Sequence, residues 1–264
     1  KSYGKLNKKQ GKDPNEKKMT KPEITPIITN RDVASPFLVE VQESAVKPIE
    51  PVFLDYQKDM SQLKAKSDIP VLYKQNVAND LFQLIYVFDM GNNHDKALGT
   101  AFDYLEYLGT SDMTPEELKS EFYRLACTFY VSPGNERTYV VLSGLNENMP
   151  AAVQLFEKLL ADAQVNKEAY TNMTSDILKA RSDAKLNQGQ NFSRLMSFAM
   201  YGPKSPATNL LTEAELTNMN PQELVDRIHN QNSYKHRILY YGPSSSKDLL
   251  ATINQYHQVP AVLK

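Results

Sequence analysis

Apolar residues take on a regular spacing from Val71 onward. Residues 71–75 and 81–88 are rich in β-branched and aromatic side chains, and the turn residues Asn76 to Asp80 between them predict an antiparallel pair. Past Asp89-Met90-Gly91-Asn92-Asn93, the residues Ala97, Leu98, Ala101, Tyr104, Leu105 and Leu108 follow the helical period. They predict a helix from about His94 to Leu108, stopped at Gly109. Thr114-Pro115-Glu116-Glu117 supplies an N-cap, a proline at the first helical position and a capping-box glutamate, and opens a helix to about Ala126. Residues 127–131 and 138–142 read as strands around the turn Ser132-Pro133-Gly134-Asn135.

Met149-Pro150 starts an amphipathic helix through Leu160, and residues 167 to about 187 form another. A third apolar helical piece, 192–201, ends at Gly202-Pro203. Thr212-x-x-Glu215 is a capping box, and Asn220-Pro221-Gln222-Glu223 repeats that arrangement. Residues 237–241 then read as a strand, Gly242-Pro243-Ser244 as a turn and 246–256 as a last helix. Strand pairs with helices grouped between them predict an α+β fold, with a mostly antiparallel sheet covered on one face by helices.

The chain before Val71 differs. Residues 1–22 are Lys, Asn, Gln and Gly with little to bury, which predicts a disordered basic segment, better explained as a solvated linker than as a nucleic-acid arm. Residues 23–70 carry Pro26, Pro36, Pro48, Pro51 and Pro70 among apolar pieces such as Phe37-Leu38 and Val52-Phe53-Leu54, the pattern of an extended strap on a protein surface. Although the formal net charge is −1, the first 21 residues hold eight lysines against Asp13 and Glu16, so a basic tail precedes an acidic body. With 264 residues, 41% hydrophobic and 23% charged, the chain can bury a full core, and no apolar run approaches the roughly 18 residues of a membrane span. A chain opening on Lys1 without a signal-peptide pattern reads as a piece of a longer one.

Candidate chemistry is sparse. There is no Gly-x-Ser-x-Gly elbow, Walker loop or Gly-x-Gly-x-x-Gly. No two of His94, His229, His236 and His257 stand at the i, i+4 spacing of a helical metal pair, and each reads as a surface or cap histidine. The lone Cys127 rules out an intrachain disulfide or Cys-x-x-Cys site and reads as a small buried hydrophobe.

The helix after the first strands carries Asp103-Tyr104-Leu105-Glu106-Tyr107 followed by Gly109-Thr110, and the next helix opens Thr-Pro-Glu-Glu-Leu. This resembles the insulinase (pitrilysin) family of zinc metallopeptidases, presequence-protease-like members above all, where the same place holds His-x-x-Glu-His. The resemblance extends in order over residues 71–257, through the hairpin 132–142, the helix 146–160 and Arg237-Ile-Leu-Tyr-Tyr-Gly-Pro with its following helix. It implies that Asp103 and Tyr107 replace both histidine ligands, and that Glu106 keeps the catalytic residue type without a metal beside it. A further ligand position falls near Ser175-Asp176, where no glutamate stands. The degenerate positions are thus Asp103, Glu106 and Tyr107, with no catalytic, cofactor or metal residue in this piece.

What the resemblance implies overall is a mitochondrial-processing-peptidase-like metallohydrolase fold in the non-catalytic C-terminal half of a zinc metalloendopeptidase. Residues 23–70 would be the inter-half linker and 71–264 an α/β unit, inactive alone, that helps form a substrate chamber. Zinc is expected only in the catalytic half of the same chain. That half and peptide substrates would be the partners, with no nucleic acid and no membrane span, in a periplasmic or otherwise extracytoplasmic bacterial setting. Two alternatives remain open: an inert peptidase-like scaffold or processing-enhancing subunit, and an unrelated α+β module whose acidic body binds a cationic partner.

Overall fold

The computed structural model describes residues 23, 25, 33–51 and 53–264, in two units that divide between Val52 and Phe53. The predicted disordered segment 1–22 lies outside the described residues. In the first unit, helix α1 (Pro36–Glu43) interrupts what the prolines suggested was extended chain. Pro36 sits at the first helical position, where its missing N–H costs nothing, and Ser35 Oγ accepts the Leu38 N–H at 3.2 Å.

The second unit is a six-stranded sheet. Its strands are β1 (Ser61–Lys64), β2 (Pro70–Gln75), β3 (Leu81–Phe88), β4 (Cys127–Pro133), β5 (Thr138–Leu145) and β6 (His236–Gly242), in the order β1-β2-β6-β3-β5-β4. Only β2 and β6 run parallel; every other pair is antiparallel. The folded body begins before Val71, because β1 pairs with β2 and Ala65 and Ile69 belong to the core.

The predicted β2–β3 hairpin does not form, since β6 lies between the two strands. Residues 76–80 step across its end: Asn76 N donates to Gly242 O at 2.8 Å and Tyr241 Oη to Asn76 Oδ1 at 3.2 Å. Five residues reach roughly 16 Å, ample for the roughly 10 Å between strands two places apart.

Helices α2 (Leu98–Leu105), α3 (Pro115–Arg124), α4 (Met149–Asp162), α5 (Lys167–Ala184), α6 (Gln188–Tyr201), α7 (Glu213–Asn218), α8 (Gln222–His229) and α9 (Ser246–Tyr256) complete the body. Strand alternation sorts the central β3: Phe82, Leu84, Tyr86 and Phe88 are buried in one core cluster with Leu98, Leu105, Phe156, Ile228 and Ile253 of the helices. Gln83 and Ile85 point to the other, open face.

The capping boxes predicted at Thr114 and Thr212 both form. At Asn220 the box does not: its side chain accepts Gln222 N at 3.1 Å, an Asx turn, and its carbonyl takes Glu223 N. Helix α2 starts at Leu98 rather than His94, because the preceding loop is fixed by Asn92 N donating to Gly134 O (2.9 Å) and Asn93 N to Asn135 O (2.8 Å). Gly91 permits that approach, since a Cβ there would lie 2.6 Å from Asn135 O.

Candidate functional site: an acidic helix face beside the edge strand

Helix α2 buries Leu98, Ala101, Phe102, Tyr104 and Leu105 and turns Asp103 outward; it ends at Leu105 rather than Leu108, so Glu106 caps it and Tyr107 follows in the turn, both also exposed. Tyr104 anchors the helix. Its hydroxyl donates to Asn166 O at 2.6 Å and accepts from Asn166 N at 2.9 Å, and its ring meets Tyr170 edge-on at 5.6 Å.

Asp103 and Glu106, one turn apart, both line a cavity of about 700 Å³ between α2, α3 and the edge strand β4. Its walls include Phe102, Leu105, Leu118, Phe122 and Phe129, with Lys119 as the basic group. Partial burial, and then the neighbouring Glu106 charge, push the Asp103 carboxyl above the ordinary carboxylate range. Tyr107 does not line this cavity, and Ser175 and Asp176 sit exposed on α5. The structure therefore brings together two of the three positions singled out in the sequence. Among the described residues, no group of three His, Cys, Asp or Glu could hold a metal ion.

The open face of the sheet is ordered by register. Leu72, Leu239, Ile85, Val141 and Tyr130 stand side by side across β2, β6, β3, β5 and β4, an unbroken apolar row. The next row, Lys74, Tyr241, Gln83, Ser143 and Thr128, is polar apart from the Tyr241 ring. A second cavity of about 280 Å³ lies over this face, where Leu54, Tyr56 and Met60 approach Ile85, Leu239 and Tyr241.

Two histidines read as surface or cap residues are core residues instead. His236 and His257 are buried, and with Glu157 of α4 they form a chain of hydrogen bonds. No sequence spacing signals this, because 21 residues separate the two rings and the end of α9 closes the gap only in the folded unit. His229 reaches Ala163 O at 3.1 Å, and His94 Nδ1 accepts the Gly91 N–H at 3.1 Å. Cys127 is buried, as a small hydrophobe should be, and burial raises its thiol. No helix among the described residues is long and apolar enough to cross a membrane.

Neither a family model nor a curated protein matches this sequence. Solved structures do. The periplasmic protease PqqL from Escherichia coli matches with a TM-score of 0.65 at 14% identity, over 84% of this chain and 28% of that one. A peptidase M16 inactive domain from Pseudomonas fluorescens matches at 0.66 and 16% identity, over 78% and 51%. The ferredoxin protease FusC, solved in complex with Arabidopsis ferredoxin, matches at 0.64 and 14%, over 84% and 27%. This chain thus spans between about a quarter and a half of the structures it resembles. A six-stranded mixed sheet backed by helices, in an arrangement shared with PqqL, FusC and the inactive domain, gives this chain the fold of the insulinase-family (M16) peptidases.

Proposed function

We propose that this chain is a non-catalytic unit from the C-terminal half of a zinc-dependent metalloendopeptidase and helps enclose the chamber in which peptides are cleaved. The observation that carries the reading is the face of α2. On a fold shared with an M16 inactive domain, Asp103 and Tyr107 stand where the resemblance calls for two imidazole ligands. In the resembled motif the glutamate acts on a water held by zinc beside two imidazoles, and exchanging those imidazoles for Asp103 and Tyr107 leaves at most a weak oxygen site. Glu106 then has no catalytic task. The unit's contribution is surface: the apolar row from Leu72 to Tyr130 can accept peptide side chains, and the polar row beside it can accept backbone hydrogen bonds. The partners on this reading are the catalytic half of the same chain, which holds the zinc, and the peptide. By analogy with periplasmic PqqL, we place the parent protein outside the cytoplasm.

The test is peptide cleavage by the parent chain that contains this unit. Glu106→Gln should leave the rate within about twofold, whereas loss of a working general base costs about 100-fold or more. Leu239→Glu, which puts a charge into the apolar row, should lower kcat/KM with the fold intact by circular dichroism. A 100-fold loss for Glu106→Gln, or full activity for Leu239→Glu, would overturn the proposal.

A further inference from the structure

Buried beneath the sheet is a polar chain for which the chamber role has no use. Glu157 Oε1 lies 2.6 Å from His257 Nδ1, His257 Nε2 lies 2.8 Å from His236 Nε2, and His236 Nδ1 lies 2.7 Å from Tyr234 O. His257 is 0% exposed, His236 5% and Glu157 6%. Asn232 Nδ2 donates to Glu157 Oε2 at 2.7 Å, and the Tyr86 ring stacks on His257 with centroids 4.8 Å apart.

Donor and acceptor rules fix the proton count. A carbonyl only accepts, so His236 Nδ1 carries a proton toward Tyr234 O. One proton must lie between the two Nε2 atoms, and one between His257 Nδ1 and Glu157 Oε1. Three hydrogen bonds therefore hold three protons, wherever each resides, and the Glu157–His257–His236 group is electrically neutral. A fourth proton sets N–H against N–H, or O–H against N–H, and breaks one of these bonds.

The break would fall at a junction. His257 is the residue at which α9 ends, and the chain beyond it returns along the residues just before β6, where Lys264 N donates to Ser233 O at 2.8 Å and Lys235 N to Lys264 O at 2.9 Å; Ser67 Oγ, between β1 and β2, donates to Pro260 O at 3.2 Å. We propose that Glu157, His257 and His236 form an acid-released latch: at neutral pH it fixes residues 258–264 against the start of β6, and uptake of one proton from solvent frees that segment.

The surroundings agree. Burial lowers His236 to about 4; the Tyr234 carbonyl opposes that effect, the His257 charge adds to it, and Asp89 again opposes it. The charged groups on the neighbouring elements are otherwise committed. Asp89 at the end of β3 pairs with Arg137 and with Arg237 of β6, and the Lys264 ammonium sits 5.8 Å over the Tyr234 ring. Tyr86 on β3 stays protonated, because burial and then the Glu157 charge push its hydroxyl far above the ordinary range.

The test is hydrogen exchange by mass spectrometry on this chain between pH 6.5 and 4, corrected for the pH dependence of the chemical step. Exchange of the Lys264 and Lys235 amides, which bond the segment to the start of β6, should rise about tenfold or more, on the scale of a local opening, while peptides of β3 stay protected. A flat profile, or loss of β3 protection at the same pH, overturns the latch. His236→Gln retains an acceptor for His257 Nε2–H but cannot gain a proton, so the rise should vanish; its persistence also overturns the latch. If that variant does not fold, the histidine ring nitrogen shifts of the unmodified chain decide: His236 must titrate within one pH unit of the opening.

Discussion

Replacing Tyr104 with phenylalanine separates the inner and outer faces of α2. The Tyr104 side chain is completely buried, and its hydroxyl serves both backbone groups of Asn166, the residue that caps α5. Tyr104→Phe keeps the ring and its contact with Tyr170 but leaves one carbonyl and one N–H without a partner. Each unsatisfied buried group costs about 1–3 kcal/mol; because Asn166 is itself exposed, water can reach the freed groups and the low end of that range applies, for a total of about 2 kcal/mol. At about 2–4 °C per kcal/mol for a body of this size, the melting temperature should fall by about 4–8 °C. Tyr107→Phe, three residues on and half exposed, should move it by less than about 2 °C. Differential scanning calorimetry of the three proteins at pH 7 measures both. A shift below 2 °C for Tyr104→Phe, or equal shifts for the two variants, would refute the view that α2 is held by its inward residues alone.

Two other outcomes follow from the same geometry. Burial lowers His236 to about 4 in the folded chain, below its ordinary value when unfolded, so the unfolded chain takes up the proton first; this contribution to stability is fully present above about pH 6.5 and declines as pH falls toward 4 in urea titrations, and His236→Gln should flatten that slope. Gly144 has φ 153°, and a Cβ there would press on Ala126 O, so Gly144→Ala should lower the urea midpoint by the equivalent of about 2 kcal/mol or more; an unchanged midpoint would mean that the β4–β5 pair yields without cost.

What the sequence revealed of the fold was its local chemistry. Thr114 and Thr212 each carry the full set of cap residues within four positions, and both caps form where the pattern puts them. Strand adjacency is not local. The stretch from Asn76 to Asp80 suits a hairpin loop as well as a step over one strand, and the choice was made by β6, some 160 residues later. Strand β1 escaped notice because Ser61-Gln62-Leu63-Lys64 has one apolar residue and lies on the sheet edge, where pairing on one side and partial burial suffice. His236 and His257 failed as surface residues for a related reason: neither has an apolar periodicity of its own to mark it as buried, and each is satisfied only by the other and by Glu157.

The candidate site divides along the same line. That Asp103 and Glu106 face outward could be read from Ala101, Tyr104, Leu105 and Leu108, because a helix has only one buried stripe. That they look into a cavity could not, since its other walls come from α3 and β4. On the reading proposed above, this division also accounts for how a peptidase fold can persist without its chemistry. The residues that dock α2 are Tyr104 and Leu105, inside the motif but on its inner side, whereas the ligand positions of the resemblance are on the outer side. Substitutions at 103 and 107 therefore leave packing untouched, and selection for the fold exerts no force on them. At 14–16% identity the layer order is still shared with PqqL and the M16 inactive domain, as expected when what is retained is the buried stripe of each helix and the inward face of each strand.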